Sequence, residues 1–160
     1  MEAREQISFI ADLNVGRLAK WLRVIGYDTA FVPELDDADL VIRAIEEQRV
    51  LLTKDARLMQ RRLIATGKAK GLLVRGDKVW EQLRFVVERL ELSNSVHLFS
   101  RCIECNIALD KVAKADVLEK VPPFVYQTQE EFARCIKCGR IYWHGTHWRN
   151  MRAELERIAV

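Results

Sequence analysis

Aspartates recur in this chain directly after apolar runs of strand type. Phe9-Ile10-Ala11 leads into Asp12. The run 29–32 leads, past Pro33, into Asp36, Asp37 and Asp39. The run 50–54 leads into Asp55, and Leu72-Leu73-Val74-Arg75-Gly76 leads into Asp77. If these runs are parallel strands, all four positions share one edge of one sheet, the carboxyl edge at which open α/β folds build their sites. Crowded carboxylates repel one another, and a bound cation relieves them. A donor set made only of oxygen favours Mg²⁺ or Mn²⁺, ions that mostly serve phosphate chemistry. The expected catalytic set is therefore Asp12, Asp37, Asp39, Asp55 and Asp77, with Asp12, Asp37 and Asp55 as the principal Mg²⁺ or Mn²⁺ ligands.

Each of these acids also has a structural role open to it. Asp12 and Asp55 stand where a helix N-cap would, and Asn14 competes with Asp12 for that task. Asp36 is the expected cap of the next helix, which leaves Asp37 to reach the site and Asp39 beside it. Thr53 precedes Asp55 closely enough to help hold a metal-bound water. Asp77, in Arg75-Gly76-Asp77, also reads as a plain turn.

A second chemistry lies further on. All four cysteines fall in two pairs, Cys102-Ile-Glu-Cys105 and Cys135-Ile-Lys-Cys138. Two C-x2-C pairs on tight turns present four thiolates, enough to complete a tetrahedral zinc site with no open position, so the zinc is expected to be structural. Gly139 suits such a turn. Two disulfides would need an oxidising compartment, and the opening MEAREQISFIADL lacks the layout of a signal peptide. His144 and His147 follow the second pair. With four cysteines present neither is needed as a ligand, and both read as structural or weakly substrate-facing.

Basic residues are unevenly spread. The stretch 54–75 holds Lys54, Arg57, Arg61, Arg62, Lys68, Lys70 and Arg75 against Asp55 alone. The stretch 134–152 holds Arg134, Lys137, Arg140, Arg149 and Arg152 against no acid, with Tyr142, Trp143 and Trp148 interleaved. Cations that hold phosphates beside rings that stack on bases suit single-stranded nucleic acid. The alternative is that Tyr142 and Trp143 pack inside the ribbon and the cations form a solvated face. Lys20 and Arg23, one helical turn apart, either flank the acidic edge or belong to ordinary helix surface. The expected substrate contacts are Lys20, Arg23, Lys54, Arg57, Arg61 and Arg62.

The elements that must position these groups follow from apolar spacing. Strands are predicted at 8–11, 29–32, 50–53 and 71–74. Helices are predicted at 16–25, from 36 or 37 through Ile45, at 56–66 and at 79–90, with Gly26 and Gly67 as stops. Strands alternating with helices of this length make right-handed crossovers and a parallel sheet. The pattern breaks near Leu92-Ser93-Asn94-Ser95, which divides the chain into 1–95 and 96–160. The second domain is too small to bury much core, and a metal would supply the missing stability.

The whole-chain quantities bound the answer. At 160 residues, with 49% hydrophobic and 31% charged residues and a net charge of +3, the chain reads as a soluble globular protein. The expected compartment is the cytoplasm. No apolar stretch is long enough to span a bilayer. No G-x-x-x-x-G-K-[ST] loop is present, which argues against a nucleotide-driven motor.

Taken together, Phe9-Ile10-Ala11-Asp12, Gly16-Arg17-Leu18-Ala19-Lys20-Trp21-Leu22-Arg23 and Gly26-Tyr27-Asp28-Thr29 resemble the opening of the carboxy-terminal ribonuclease domain of the Mut-seven family, a branch of the PIN-like nucleases. Leu35-Asp36-Asp37-Ala38-Asp39-Leu40 and Leu51-Leu52-Thr53-Lys54-Asp55 resemble its next two acidic motifs. Phe99-Ser100-Arg101-Cys102, Val121-Pro122-Pro123, Cys138-Gly139-Arg140-Ile141-Tyr142-Trp143 and Gly145-Thr146-His147-Trp148 resemble its zinc-ribbon half. Two positions depart: Asp39 stands where the family often has Glu, and its fourth acid maps only loosely onto Asp77. The resemblance implies a PIN-like fold and divalent-metal ribonuclease activity.

The combined expectation is a PIN-like α/β/α sandwich with a central parallel sheet, followed by a small zinc ribbon with a C-terminal helix. It would hydrolyse RNA, single-stranded, with one structural Zn²⁺ and one or two catalytic Mg²⁺ or Mn²⁺. The alternatives are a non-catalytic RNA-binding or adaptor module working through the ribbon and the basic patches, and a phosphoacceptor signalling domain. The latter usually places two adjacent acids after its first strand, where this chain has Ala11-Asp12.

Overall fold

The computed structural model of the chain describes residues 6–92 and 97–158. Two compact units divide it, Met1–Asn106 and Ile107–Val160. The predicted division between 95 and 96 falls within residues 93–96, outside the described residues. The first unit runs on through the first cysteine pair to Asn106.

The first unit strings together β1 (Phe9–Ala11), a 3-10 turn (Leu13–Val15), α1 (Gly16–Val24), β2 (Thr29–Phe31), α2 (Asp37–Glu46), β3 (Val50–Thr53), α3 (Ala56–Met59), α4 (Arg62–Ala65), β4 (Gly71–Leu73) and α5 (Val79–Arg89). The strands form one sheet in the order β2-β1-β3-β4, every pair parallel. From β1 the chain steps one way to β2, then reverses across β1 to β3 and continues to β4. Right-handed crossovers therefore put α1 on one face and α2, α3 and α4 on the other. Ile10, Ala30 and Leu51 alternate toward the second face and share a core with Leu40, Val41 and Ala44 of α2. On the first face α1 packs against α5, with the Trp21 and Trp80 rings 4.2 Å apart.

One predicted element is corrected. The helix expected over 56–66 is two short helices, α3 and α4, parted at Gln60–Arg61, where Arg61 takes an extended conformation (φ −58, ψ 137). The break lets Leu58 and Ile64 enter the same core cluster. In a continuous helix these two residues would point to different faces. The predicted stops hold: Gly26 and Gly67 have φ of +98 and +77, a conformation costly for any residue with a Cβ.

The second unit contains β5 (Asp110–Val112), a 3-10 turn (Lys114–Val117), α6 (Pro123–Thr128), β6 (Phe132–Arg134), β7 (Ile141–Trp143) and α7 (Thr146–Arg157). Its sheet is antiparallel, β5-β6-β7. One buried cluster gathers Val117, Val121 and Phe132, with Trp143 and Tyr126 partly buried against it, and Met151, Leu155 and Ile158 are buried further along the chain. Trp143 is thus a packing residue, as the alternative reading of the aromatics had it.

Candidate functional site

The crossovers run in opposite directions on either side of β1 and β3, which makes a topological switch point and leaves a crevice at the carboxyl ends of the strands. Asp12 and Asp55 flank it. The amide of Asp12 continues the ladder by donating to the Leu52 carbonyl at 2.9 Å. Its carboxylate is held at both oxygens: Oδ1 accepts from the Leu13 amide at 2.6 Å, and Oδ2 accepts from the Thr53 hydroxyl at 2.6 Å. Thr53 Oγ1 in turn accepts from the Asp55 amide at 2.9 Å, and Asp55 Oδ1 accepts from the Arg57 amide at 2.7 Å. One fully buried threonine at the end of β3 thus connects the two aspartates. Its single proton goes to Asp12, so Thr53 orients that carboxylate.

Capping and site geometry coincide here. Asp12 caps the 3-10 turn that leads into α1, and Asp55 caps α3. A carboxylate offers about four lone-pair directions, and each of these caps uses only part of them. Asp36 caps α2 by accepting from the Asp39 amide at 2.9 Å. Asp37 and Asp39 lie in the first turn of α2, exposed, at the carboxyl end of β2. Asp37 pairs with Arg61 at 3.4 Å. Asp77, beyond β4, is fully exposed and stands 3.8 Å from Lys54. All five acids therefore lie beyond the same edge. The structure links Asp12 to Asp55, while Asp37 and Asp77 flank them on α2 and beyond β4, each facing a base.

The cysteines are gathered more tightly. The sulfurs of Cys102, Cys105, Cys135 and Cys138 all lie within 4.8 Å of one another, the one group of three or more His, Cys, Asp or Glu residues so placed among the described residues. None of the four is in a disulfide. Zn–S bonds of about 2.3 Å in a tetrahedron set sulfurs roughly 3.8 Å apart, so the donor set fits zinc in kind and in spacing. Each pair sits on a tight turn: the Asn106 amide donates to the Cys102 carbonyl at 2.9 Å, and the Gly139 amide to the Cys135 carbonyl at 2.8 Å. Gly139 has a φ of +73, as such a turn needs. His144 and His147 are exposed on the surface, and His144 stacks on Trp148 with ring centroids 4.2 Å apart.

Of the expected substrate contacts, Lys20, Lys54, Arg57, Arg61 and Arg62 are on the surface. Arg23 is not. It is 5% exposed, donating from Nε to the Thr29 carbonyl at 2.9 Å and from Nη1 to the carbonyls of Ile103 at 2.6 Å and Glu104 at 3.1 Å. Burial lowers its pKa, against the opposing pull of Glu104, Cys102, Cys105 and Asp28. Arg23 is therefore neither a phosphate contact nor ordinary helix surface. It anchors the first cysteine turn to α1 and β2. Asn106 completes the anchor: its Oδ1 accepts from the Thr29 amide at 2.9 Å and its Nδ2 donates to Asp28 at 2.7 Å.

Sequence reasoning missed two residues of the edge. Asn14, weighed only as a cap, accepts from the Lys54 amide at 3.1 Å and fastens the 3-10 turn to the end of β3. Arg17 stands exposed beside a surface cleft of about 500 Å³ that also reaches Lys20, Lys54 and Asp77. The signal for both was their distance from Asp12, two and five residues on, around the start of a helix. A family model described as the Mut7-C RNAse domain matches residues 7–155. No curated protein and no solved structure matches the chain.

Proposed function

The chain belongs to the Mut7-C RNAse domain family, and from that premise we propose that it is a metal-dependent ribonuclease of PIN-like fold whose catalytic centre is the carboxylate edge around Asp12. The observation that carries this reading is the Asp12–Thr53–Asp55 linkage at the switch point of the parallel sheet. Asp12, Asp37 and Asp55, helped by Asp39 and Asp77, would hold one or two Mg²⁺ or Mn²⁺ ions. The donors fit in kind, being all oxygen with lone pairs left over. When bound, such ions acidify a water and stabilise charge at the phosphodiester. Thr53 fixes one oxygen of Asp12. Lys20, Lys54, Arg57, Arg61 and Arg62 hold the phosphate chain, with Arg61 and Asp37 exchanging each other for substrate and metal.

The four cysteines hold one structural zinc in this reading, and the β5–β7 sheet with its basic residues serves as a zinc ribbon that extends the grip on single-stranded RNA. Four reduced thiols suit the cytoplasm. Among the described residues no helix is long and apolar enough to cross a membrane. A binding role without cleavage has one observation in its favour: Arg152 lies over the Trp148 ring at 5.4 Å, a cation beside a stacked ring on α7.

Cleavage of mixed RNA and single-stranded DNA, with and without Mn²⁺, tests the proposal. Asp12→Asn keeps a capping oxygen, since Asn caps as well as Asp, and removes one charge from the metal site. The amide that replaces Oδ2 cannot accept from Thr53, so the expected result is loss of metal-dependent RNA cleavage at temperatures where the variant is fully folded, with a melting temperature lowered by no more than that one hydrogen bond, about 1 kcal/mol. Wild-type cleavage by the variant, or no cleavage by the wild type with Mn²⁺, would leave the binding role standing instead.

A further inference from the structure

The cleft beside Asp12 has a chemistry of its own. Its apolar side is formed by Leu13 and Val15 of the 3-10 turn, Phe31 at the end of β2 and Val79 at the start of α5. Its cations are Arg17, Lys20 and Lys54, against the one acid Asp77. The walls are built to hold their spacing. The Trp21–Trp80 contact fixes α1 against α5. The Leu13 amide is bound to Asp12 and the Asn14 side chain to the Lys54 amide. Gly16 lets the Phe31 ring lie on the start of α1, where an added Cβ would fall 2.7 Å from Phe31 Cζ.

Two features of this cleft serve no evident folding purpose. Leu13 is 65% exposed, a large apolar side chain directly after the candidate catalytic acid. Arg17 is exposed, and its guanidinium pairs with no carboxylate among the described residues. Lys20 and Lys54 are tethered instead, Lys20 to Glu104 at 3.0 Å and Lys54 to the Gly76 carbonyl at 2.9 Å. An apolar surface with a cationic rim matches a nucleotide, whose base is apolar on its faces and whose phosphate is anionic. About 500 Å³ lies within the roughly 300–1,000 Å³ span of small-ligand sites. A paired base does not present its face, whereas an unpaired one can be splayed out and stacked.

We propose that this cleft receives one unpaired nucleotide of a single-stranded RNA, next to the phosphate at Asp12, with its base against Leu13, Phe31 and Val79 and its phosphate on Arg17. This rests on the ribonuclease reading and adds to it a subsite for one base beside the candidate carboxylates and the residues that form it. Lys20 and Lys54 supply positive charge at the rim, and Leu13 closes over the base from the side nearest the carboxylates.

The test is binding of the full chain, without divalent ions so that nothing is cut. Three fluorescein-labelled probes are compared: a short single-stranded RNA, the same strand annealed to its complement, and the same backbone with abasic riboses. The single strand should bind about tenfold tighter than the abasic strand, as one base contact warrants, and tighter than the duplex. Leu13→Ala should reduce the advantage of the single strand over the abasic strand several-fold and leave abasic binding unchanged. Arg17→Ala should weaken both single-stranded probes and lower the salt slope by about one. Equal affinity for all three probes, or a Leu13→Ala variant that weakens single-stranded and abasic binding alike, would overturn the proposal. Metal-dependent cleavage by the same preparation separates the two readings. Cleavage without base-dependent binding removes the cleft and keeps the nuclease; base-dependent binding without cleavage keeps the cleft and removes the nuclease.

Discussion

At the scale of single residues, Thr53 is the point on which the site turns. Its hydroxyl has one proton and gives it to Asp12, while its oxygen takes the Asp55 amide, and it is fully buried while doing so. Thr53→Val keeps the shape and removes both bonds. It should lower stability by about 1–2 kcal/mol, because the partly buried Asp55 amide loses its acceptor and the Asp12 carboxylate a donor. It should also lower cleavage beyond what unfolding accounts for, with Thr53→Ser restoring it. Melting and cleavage measured on the same variants check this, and a valine variant that cleaves like wild type would end the assignment. Asp28 sets a second expectation at this scale. Burial alone would raise its carboxyl, but hydrogen bonds from Arg49 and Asn106 and the Arg49 charge outweigh it and hold the group below its ordinary value of 3.8. A carboxylate whose folded value is depressed contributes stability that is complete above the unfolded value and lost as pH falls through the folded one. Urea midpoints should therefore fall on acidification below about pH 4, and Asp28→Asn should flatten that fall.

The elements show how short segments are held to their task. The connection after α1 reverses the chain at Gly26, whose φ is +98 and whose missing Cβ leaves room for the His97 carbonyl oxygen, 2.7 Å from where that atom would lie. Gly26→Ala should destabilise the first unit by more than about 1 kcal/mol, since both the backbone conformation and the space disallow it. A melting curve unchanged by the substitution would contradict this. Arg49 does comparable work at the same edge of the sheet. Its Nη1 donates to the Phe9 carbonyl at 3.1 Å and to Asp28 at 2.7 Å, so the starts of β1 and β2 are pinned through one guanidinium. The carboxyl ends of the same strands are thereby left to the aspartates.

For the whole molecule the cysteines decide most. Four cysteine sulfurs within 4.8 Å of one another, none in a disulfide, predict about one zinc per chain by elemental analysis. Sequence reasoning alone expects a cysteine substitution to loosen only the region beyond residue 95. The structure changes that expectation for Cys102. The turn 102–106 belongs to the first unit, where it is held by Arg23 and gives Asn106 to the edge strand β2. Cys102→Ser should accordingly speed hydrogen exchange at the Thr29 amide, whose acceptor is Asn106 Oδ1, and lower the stability of the first unit. Exchange at Thr29 unchanged from wild type would restore the view of a separate ribbon.

The class of fold and the kinds of chemistry are legible in local stretches of the sequence. Strand runs, helical spacing, glycine stops and C-x2-C pairs are local signals, because backbone geometry repeats over two to four residues and a tight turn needs only its own few. Asp12, Asp55 and the cysteines were legible for that reason, as was Asp36 as the cap of α2. Only the tertiary structure decided which strand lies beside which. The order β2-β1-β3-β4 puts Asp12 next to Asp55 and sends Asp37 and Asp77 to the flanks, a choice made by long-range burial rather than by any local pattern. Arg23 shows the same limit in one side chain. On its helix it is spaced like a surface cation, yet the carbonyls that bury it lie eighty residues on, and a buried guanidinium is stable only where such acceptors meet it. The break between α3 and α4 follows the same rule, since Leu58 and Ile64 reach one core only if the helix gives way between them.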